Sequence, residues 1–167
     1  MNTLVKDKSN KDFSRNLAKI TFPIERSEST GPGTETLWAE ALGGEQYRLD
    51  NSPFYVYEVS YNDVVFAKQT SEILLFQRVR KRGGHSTYRI FLTRPLDEQE
   101  FQQYWKPFGS LGCTYEGKNK RLIAIDVPPT SDIRQVYALL ERGEDAKLWE
   151  FEEGHCGHSL KRKSGPC

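Results

Sequence analysis

The 167-residue sequence has three cysteines, three histidines and one methionine, and no apolar run that approaches the length of a membrane span. A transmembrane helix needs ~20 consecutive apolar residues, so membrane insertion by a helix is not expected. The odd set Cys113, Cys156 and Cys167 provides no self-contained disulfide framework. The opening residues, MNTLVKDKSNKDFSRN, lack the apolar core and small-residue cleavage site of a secretory signal. The expected address is the cytoplasm, with reduced thiols.

An excess of one charge is also missing. The chain carries 24 basic and 23 acidic residues for a net charge of +1, and 12 of the basic and 11 of the acidic ones lie at or before Tyr88. A protein that grips duplex nucleic acid by its phosphates normally shows a basic excess or a basic stripe, so nucleic acid is not the expected partner. The sequence contains no G-x-x-x-x-G-K-[ST] loop and no C-x-x-C knuckle. With no assembled catalytic motif, neither an enzymatic activity nor a cofactor is expected.

The chain does contain many short, strand-like segments. Residues 1–16 read as a polar leader, and RSESTGPGTET as a loop broken by Gly31-Pro32-Gly33. LAKITFPIE, ETLWAEALG, EQYRLDN, PFYVYEV, DVVFAKQ and EILLFQRVR alternate as strands, the second and third joined at Gly43-Gly44. Strands this short with no helix between them predict a small, partly closed antiparallel β-barrel over 17–84. Beyond Gly83-Gly84 the pattern changes to strand STYRIFLT, helix DEQEFQQYWKPF, two strands around Gly117–Lys120, helix TSDIRQVYALLERGED and strand AKLWEFEEGH. Phe101, Tyr104, Trp105 and Phe108 share one helical face, as do Ile133, Val136, Tyr137 and Leu140, and Gly143 marks the second helix's stop. This order predicts a ferredoxin-like βαββαβ unit over 85–155, followed by a tail over 156–167. The expected class is α+β.

Trp38, the YRLDN stretch Tyr47–Asn51, Pro53–Tyr55, the turn Asp63–Val65 and the joint Gly84–Thr87 resemble a bacterial family, domain of unknown function DUF4265. The resemblance extends over most of residues 19–153. It implies a shared shape and carries no catalytic assignment. Asn62 stands where that pattern has glycine, and asparagine tolerates the left-handed turn such a position needs.

Four stretches compete as sites. In RKRGGHSTYRI, Arg80, Lys81 and Arg82 suit an anion, and His85 with Ser86 or Thr87 suits general-base chemistry. No helix starts directly after the glycines, and neighbours on a strand face opposite ways, which favours a joint whose His85 and Thr87 bond across a seam. His155, Cys156 and His158 are metal-ligand types, with Cys113 a conceivable fourth, but their spacing matches no standard zinc pattern, so no metal is expected. Asp50-Asn51-Ser52-Pro53 reads as a turn before it reads as an acid–base site. ERGEDAKLWEFEE sets six acidic against two basic residues. An acidic, aromatic-edged strand suits a basic protein partner. Glu144, Asp145, Glu150, Glu152 and Glu153 supply the charge, and Trp149 or Phe151 the buried anchor. The expected function is protein binding without catalysis, of the kind found in immunity proteins and antitoxins that occlude a toxin such as a nuclease. The competing reading is a small enzyme or nucleic-acid-handling protein built on Arg80–Thr87.

Overall fold

The computed structural model describes residues 16–24 and 33–160. The leader apart from Asn16, the Gly31-Pro32-Gly33 loop apart from Gly33, and the end of the tail fall outside the described residues. Strands β1 (Leu17–Pro23), β2 (Thr34–Gly43), β3 (Gln46–Leu49), β4 (Val64–Gln69) and β5 (Leu74–Lys81) form a closed barrel. On β2, Glu35, Leu37 and Ala39 turn inward while Thr36 and Trp38 turn outward, as a half-buried strand requires. The β2–β3 hairpin forms where expected. Gly44 and Glu45 both take left-handed backbone, with φ of 60° and 59°, the pairing that matches strand twist. Ile20, Phe22, Leu37, Ala39, Leu49, Val65 and Ala67 fill the interior.

Closure differs from the expected partly open, antiparallel barrel. The ring is complete, and β1 closes it by running parallel to β5 at Ile20–Leu74 and Thr21–Leu75. Register shifts in the β4–β5 pair bend those strands enough to bring the ends together. Among the described residues, closure leaves the barrel no open edge.

The second part comprises β6 (Ser86–Leu92), α1 (Glu98–Ser110), β7 (Thr114–Gly117), β8 (Leu122–Val127), α2 (Ile133–Asp145) and β9 (Trp149–His155). Its sheet runs β7-β8-β6-β9, with antiparallel neighbours throughout. Asp97 caps α1 by accepting the Glu100 N–H at 2.8 Å, and Asp132 caps α2 by accepting the Arg134 N–H at 3.0 Å. Phe101, Trp105 and Phe108 from α1 and Ile133, Val136 and Leu140 from α2 join Tyr88, Ile90, Leu92, Ile123, Ile125 and Trp149 in one core. Both helices therefore pack on the same sheet face. Tyr137, expected within that core, is instead 41% exposed and meets Phe151 edge-on at the sheet margin.

Two further sequence expectations are corrected. PFYVYEV is no strand: residues 50–63 form an irregular strap between β3 and β4. Gly143 does not end α2, which continues to Asp145. The glycine is there because the Trp149 ring lies against it: a Cβ at Gly143 would come 1.9 Å from a ring carbon. The same indole donates its N–H to the Leu140 carbonyl at 3.1 Å, which fixes the ring in place.

Gly143→Ala is expected to force Trp149 from this seat at a cost of about 1–3 kcal/mol, the usual range for overpacking. Urea denaturation followed by tryptophan fluorescence measures it, and an unchanged midpoint would show that the ring has room to move.

Candidate functional site

The outer face of the four-stranded sheet, opposite the helices, is where the two parts meet. The strap crosses it strand by strand. The Ser52 N–H donates to Glu116 on β7 at 3.0 Å, Val56 accepts from Arg89 on β6, and the Glu58 N–H donates to the Gly154 carbonyl on β9 at 3.0 Å. On its other side one barrel carboxylate holds the middle of the strap. Glu35 accepts the N–H groups of Phe54, Tyr55 and Val56 at 2.6, 2.9 and 2.8 Å. An irregular segment under cover must satisfy its backbone somewhere, and here a buried acid provides the acceptors.

Arg89 anchors the centre of this face. It is 3% exposed, donates to Glu152 at 2.9 Å and stacks on the Tyr57 ring with its guanidinium carbon 4.5 Å from the centroid. Tyr57 in turn donates to Glu152 at 2.6 Å, and that hydrogen bond is the main reason its phenol is held above the usual range. Gly154 clears space for the guanidinium: a Cβ there would lie 2.6 Å from an arginine nitrogen.

At the joint, polar side chains pair off internally. Asp63 is fully buried and accepts from the Gly83 N–H at 2.7 Å, the Ser60 N–H at 3.1 Å and Arg82 at 3.0 Å. Arg82 also donates to the Glu58 carbonyl. His85 Nδ1 lies 2.8 Å from Asp126, with Tyr61 edge-on to its ring. Ser86 turns the other way. Its Oγ accepts the Gly157 N–H at 2.9 Å and lies 2.6 Å from His158 Nδ1, while His158 Nε2 meets the Pro128 carbonyl at 3.1 Å. Thr87 donates to Ser60 Oγ at 2.8 Å across the seam. His85 and Ser86 thus face apart, as strand geometry requires. Arg80 and Lys81 stay on β5 as exposed side chains, so the three basic residues do not converge on one point. Asn62 takes the left-handed conformation expected of it, with φ of 68°.

The C-terminal acidic stretch divides between surfaces. Trp149 is 3% exposed in the helix-side core, so it is not available as a surface anchor. Phe151 is half-buried on that same side against Tyr137. Glu153 accepts from the Tyr88 hydroxyl at 2.8 Å; burial first, then this bond, pushes the Tyr88 phenol well above its ordinary range. Glu144 accepts the Phe151 N–H at 3.3 Å, an outward-facing donor of the edge strand β9. Glu152 is committed to Arg89 and Tyr57. Asp145 lies exposed at the end of α2. Glu150 is exposed on the outer face beside Phe91, its register partner on β6.

His155, Cys156 and His158 do not gather around a point. His155 faces Glu58 at 3.7 Å and Cys156 donates to the His158 carbonyl at 3.7 Å. Among the described residues no group of three or more His, Cys, Asp or Glu is placed to hold a metal ion. The supposed tail begins as a packed segment, since Gly157 and His158 both bond Ser86 Oγ. Cys113 is buried, and burial pushes its thiol up to about 12.

A closed five-stranded barrel joined to a helix-backed sheet across a strap defines the architectural class. The chain belongs to the family described as Domain of unknown function (DUF4265), whose profile matches residues 35–151. It is also similar to a solved structure described as a novel crystal structure of a hypothetical protein from Neisseria gonorrhoeae. The likeness covers 85% of this chain and 96% of that one, with a TM-score of 0.72 and 17% identity, and it establishes a shared fold. No curated protein matches.

Several working residues were not singled out from sequence. Glu35 had a readable signal, an acid at an inward position of an alternating strand. Arg89, Asp126 and Glu116 carry no such signal, because their partners Val56, His85 and Ser52 lie far from them in the chain.

Glu35→Ala would strand three backbone donors beneath the strap, at ~1–3 kcal/mol each if they stay buried. Chemical denaturation is expected to show a loss of at least about 2 kcal/mol, with faster amide exchange at Phe54–Val56. At pH 8 the buried thiol of Cys113 is expected to resist alkylation in the folded chain and to react on unfolding, as peptide mass spectrometry would resolve. Rapid native alkylation would contradict the burial argument.

Proposed function

We propose that this chain is a protein-binding module without chemistry of its own, a bacterial cytoplasmic inhibitor of the immunity or antitoxin kind that covers a basic partner such as a nuclease. The observation that carries this reading is Phe91. It sits on an interior strand of the sheet yet is 42% exposed, with the carboxylate-bearing Glu150 directly across from it on β9. An apolar ring in mid-sheet beside acids is the composition expected of a contact surface for a positively charged protein. The joint's polar groups support the same reading: Arg82, His85, Ser86 and Thr87 each have internal partners, which suits fastening better than turnover.

The second unit reads as ferredoxin-like. Its support is the strand–helix–strand–strand–helix–strand order and the sheet order β7-β8-β6-β9 with antiparallel neighbours. Its outer face does not suit the RNA platform of that architecture: Glu116, Asp126, Glu150 and Glu152 make it acidic, and the strap covers much of it.

A second reading, an enzyme or nucleic-acid-handling protein working through Arg80–Thr87, is favoured by one observation: the His85–Asp126 pair at 2.8 Å is the orienting contact of a general base. His85→Ala separates the two. A joint predicts a lower melting temperature; a base predicts lost turnover at unchanged stability.

Affinity capture from bacterial lysate with nuclease treatment is expected to recover a near-stoichiometric protein partner. Glu150→Lys is expected to slow association with it about tenfold at low salt by reversing the steering charge, without disturbing the fold. Glu152→Lys would not serve, because it removes the counter-charge of buried Arg89. An empty capture, or one dependent on nucleic acid, would overturn the module.

A further inference from the structure

We infer that the uncovered end of the outer sheet face receives an arginine side chain presented by a polypeptide partner. This rests on the protein-binding reading above and names its contact point. The strap leaves the sheet at Glu58, over the β9 end that holds Gly154, so the cross-strand row Leu122–Phe91–Glu150 is left open. Next to it runs the row Ala124–Arg89–Glu152, which the strap covers at Val56 and Tyr57. Between the two lies a hollow of about 180 Å³ lined by Arg89, Phe91, Leu122, Glu150 and Glu152. That is smaller than the ~300 Å³ at which small-molecule pockets begin, and it suits one long side chain.

The chemistry of the lining selects the occupant. An aromatic face beside the uncommitted carboxylate of Glu150 favours a cation, and the planar guanidinium can stack on the ring while its fork meets the acid. The same sheet already uses that unit. Arg89 stacks on Tyr57 while bonding Glu152, and Arg121 stacks on Phe91 with its guanidinium carbon 4.2 Å from the centroid. With Arg121 in place Phe91 is still 42% exposed, and Glu150, its register partner on β9, is exposed beside it.

The test is a ¹⁵N–¹H titration of the full chain with a blocked peptide of alternating arginine and glycine. Parallel titrations use its lysine and glutamate counterparts and a single-stranded oligonucleotide. The expected result is saturable shifts at Phe91, Leu122 and Glu150 with the arginine peptide, about tenfold tighter than with lysine. Shifts should be absent with glutamate and lost in Glu150→Gln and in Phe91→Ala, both with otherwise unchanged spectra. No saturable shift at millimolar peptide, equal binding by the variants, or occupation of this patch by the oligonucleotide would each overturn the proposal. The lysate experiment fails separately. A partner captured equally by wild type and Glu150→Gln removes the hollow and keeps the module, whereas peptide binding with an empty capture keeps the hollow and removes the module.

Discussion

The middle of the strap is held by one acid, and the union of the two parts runs through the strap. Glu35 faces the barrel interior from β2 and presents both carboxylate oxygens to three successive backbone N–H groups. Burying an acid is costly unless donors surround it, and burying an irregular backbone is costly unless acceptors do. Each solves the other's problem. With residues 54–56 pinned on one side, the strap can offer Val56 and Tyr57 to Arg89 and Glu152 on the other, so the barrel and the sheet are held by one segment belonging to neither.

The stretches that carry the family resemblance gather along this seam. Asn51 of YRLDN accepts the Trp38 N–H at 2.7 Å, Pro53–Tyr55 lead into the Glu35 clasp, and Asp63 of the turn receives Gly83 from the joint. Gly83 has no room for a side chain, since a Cβ there would meet the Asn62 carbonyl oxygen at 2.6 Å. These residues form an assembly device. The RKRGGHSTYRI stretch belongs to it: its glycines bring Asp63 and Arg82 together, and its His85, Ser86 and Thr87 fasten to Asp126, His158 and Ser60 in three directions.

What was legible in the sequence followed local periodicity. Alternation located β1 to β5 but not the strap, and helical spacing located both helices. What was not legible came from contacts far apart in the chain. PFYVYEV has the composition of a strand, but its backbone bonds go to Glu35 and Arg89 in place of a ladder. Gly143 has the position of a helix stop, yet its reason for being glycine is Trp149, on the next strand. The acidic strand was visible as composition; that Glu152 and Glu153 are spent internally while Glu150 is not depends on which face each residue takes and on what β6 places beneath it.

The parallel contact that completes the barrel has a kinetic meaning. β1 is paired with β2 along its whole length but meets β5 only at Ile20 and Thr21. Forming that contact requires β2 to β5 to have curled through most of a turn, so it is the least local pairing in the ring and bears the largest loop-closure cost. It is thus the step that completes the barrel, with β1 and β2 arriving as one ribbon. The same asymmetry makes the β1–β5 line the weakest part of the perimeter. Opening the ring along this line breaks the fewest pairings and would expose two barrel edges that closure hides among the described residues.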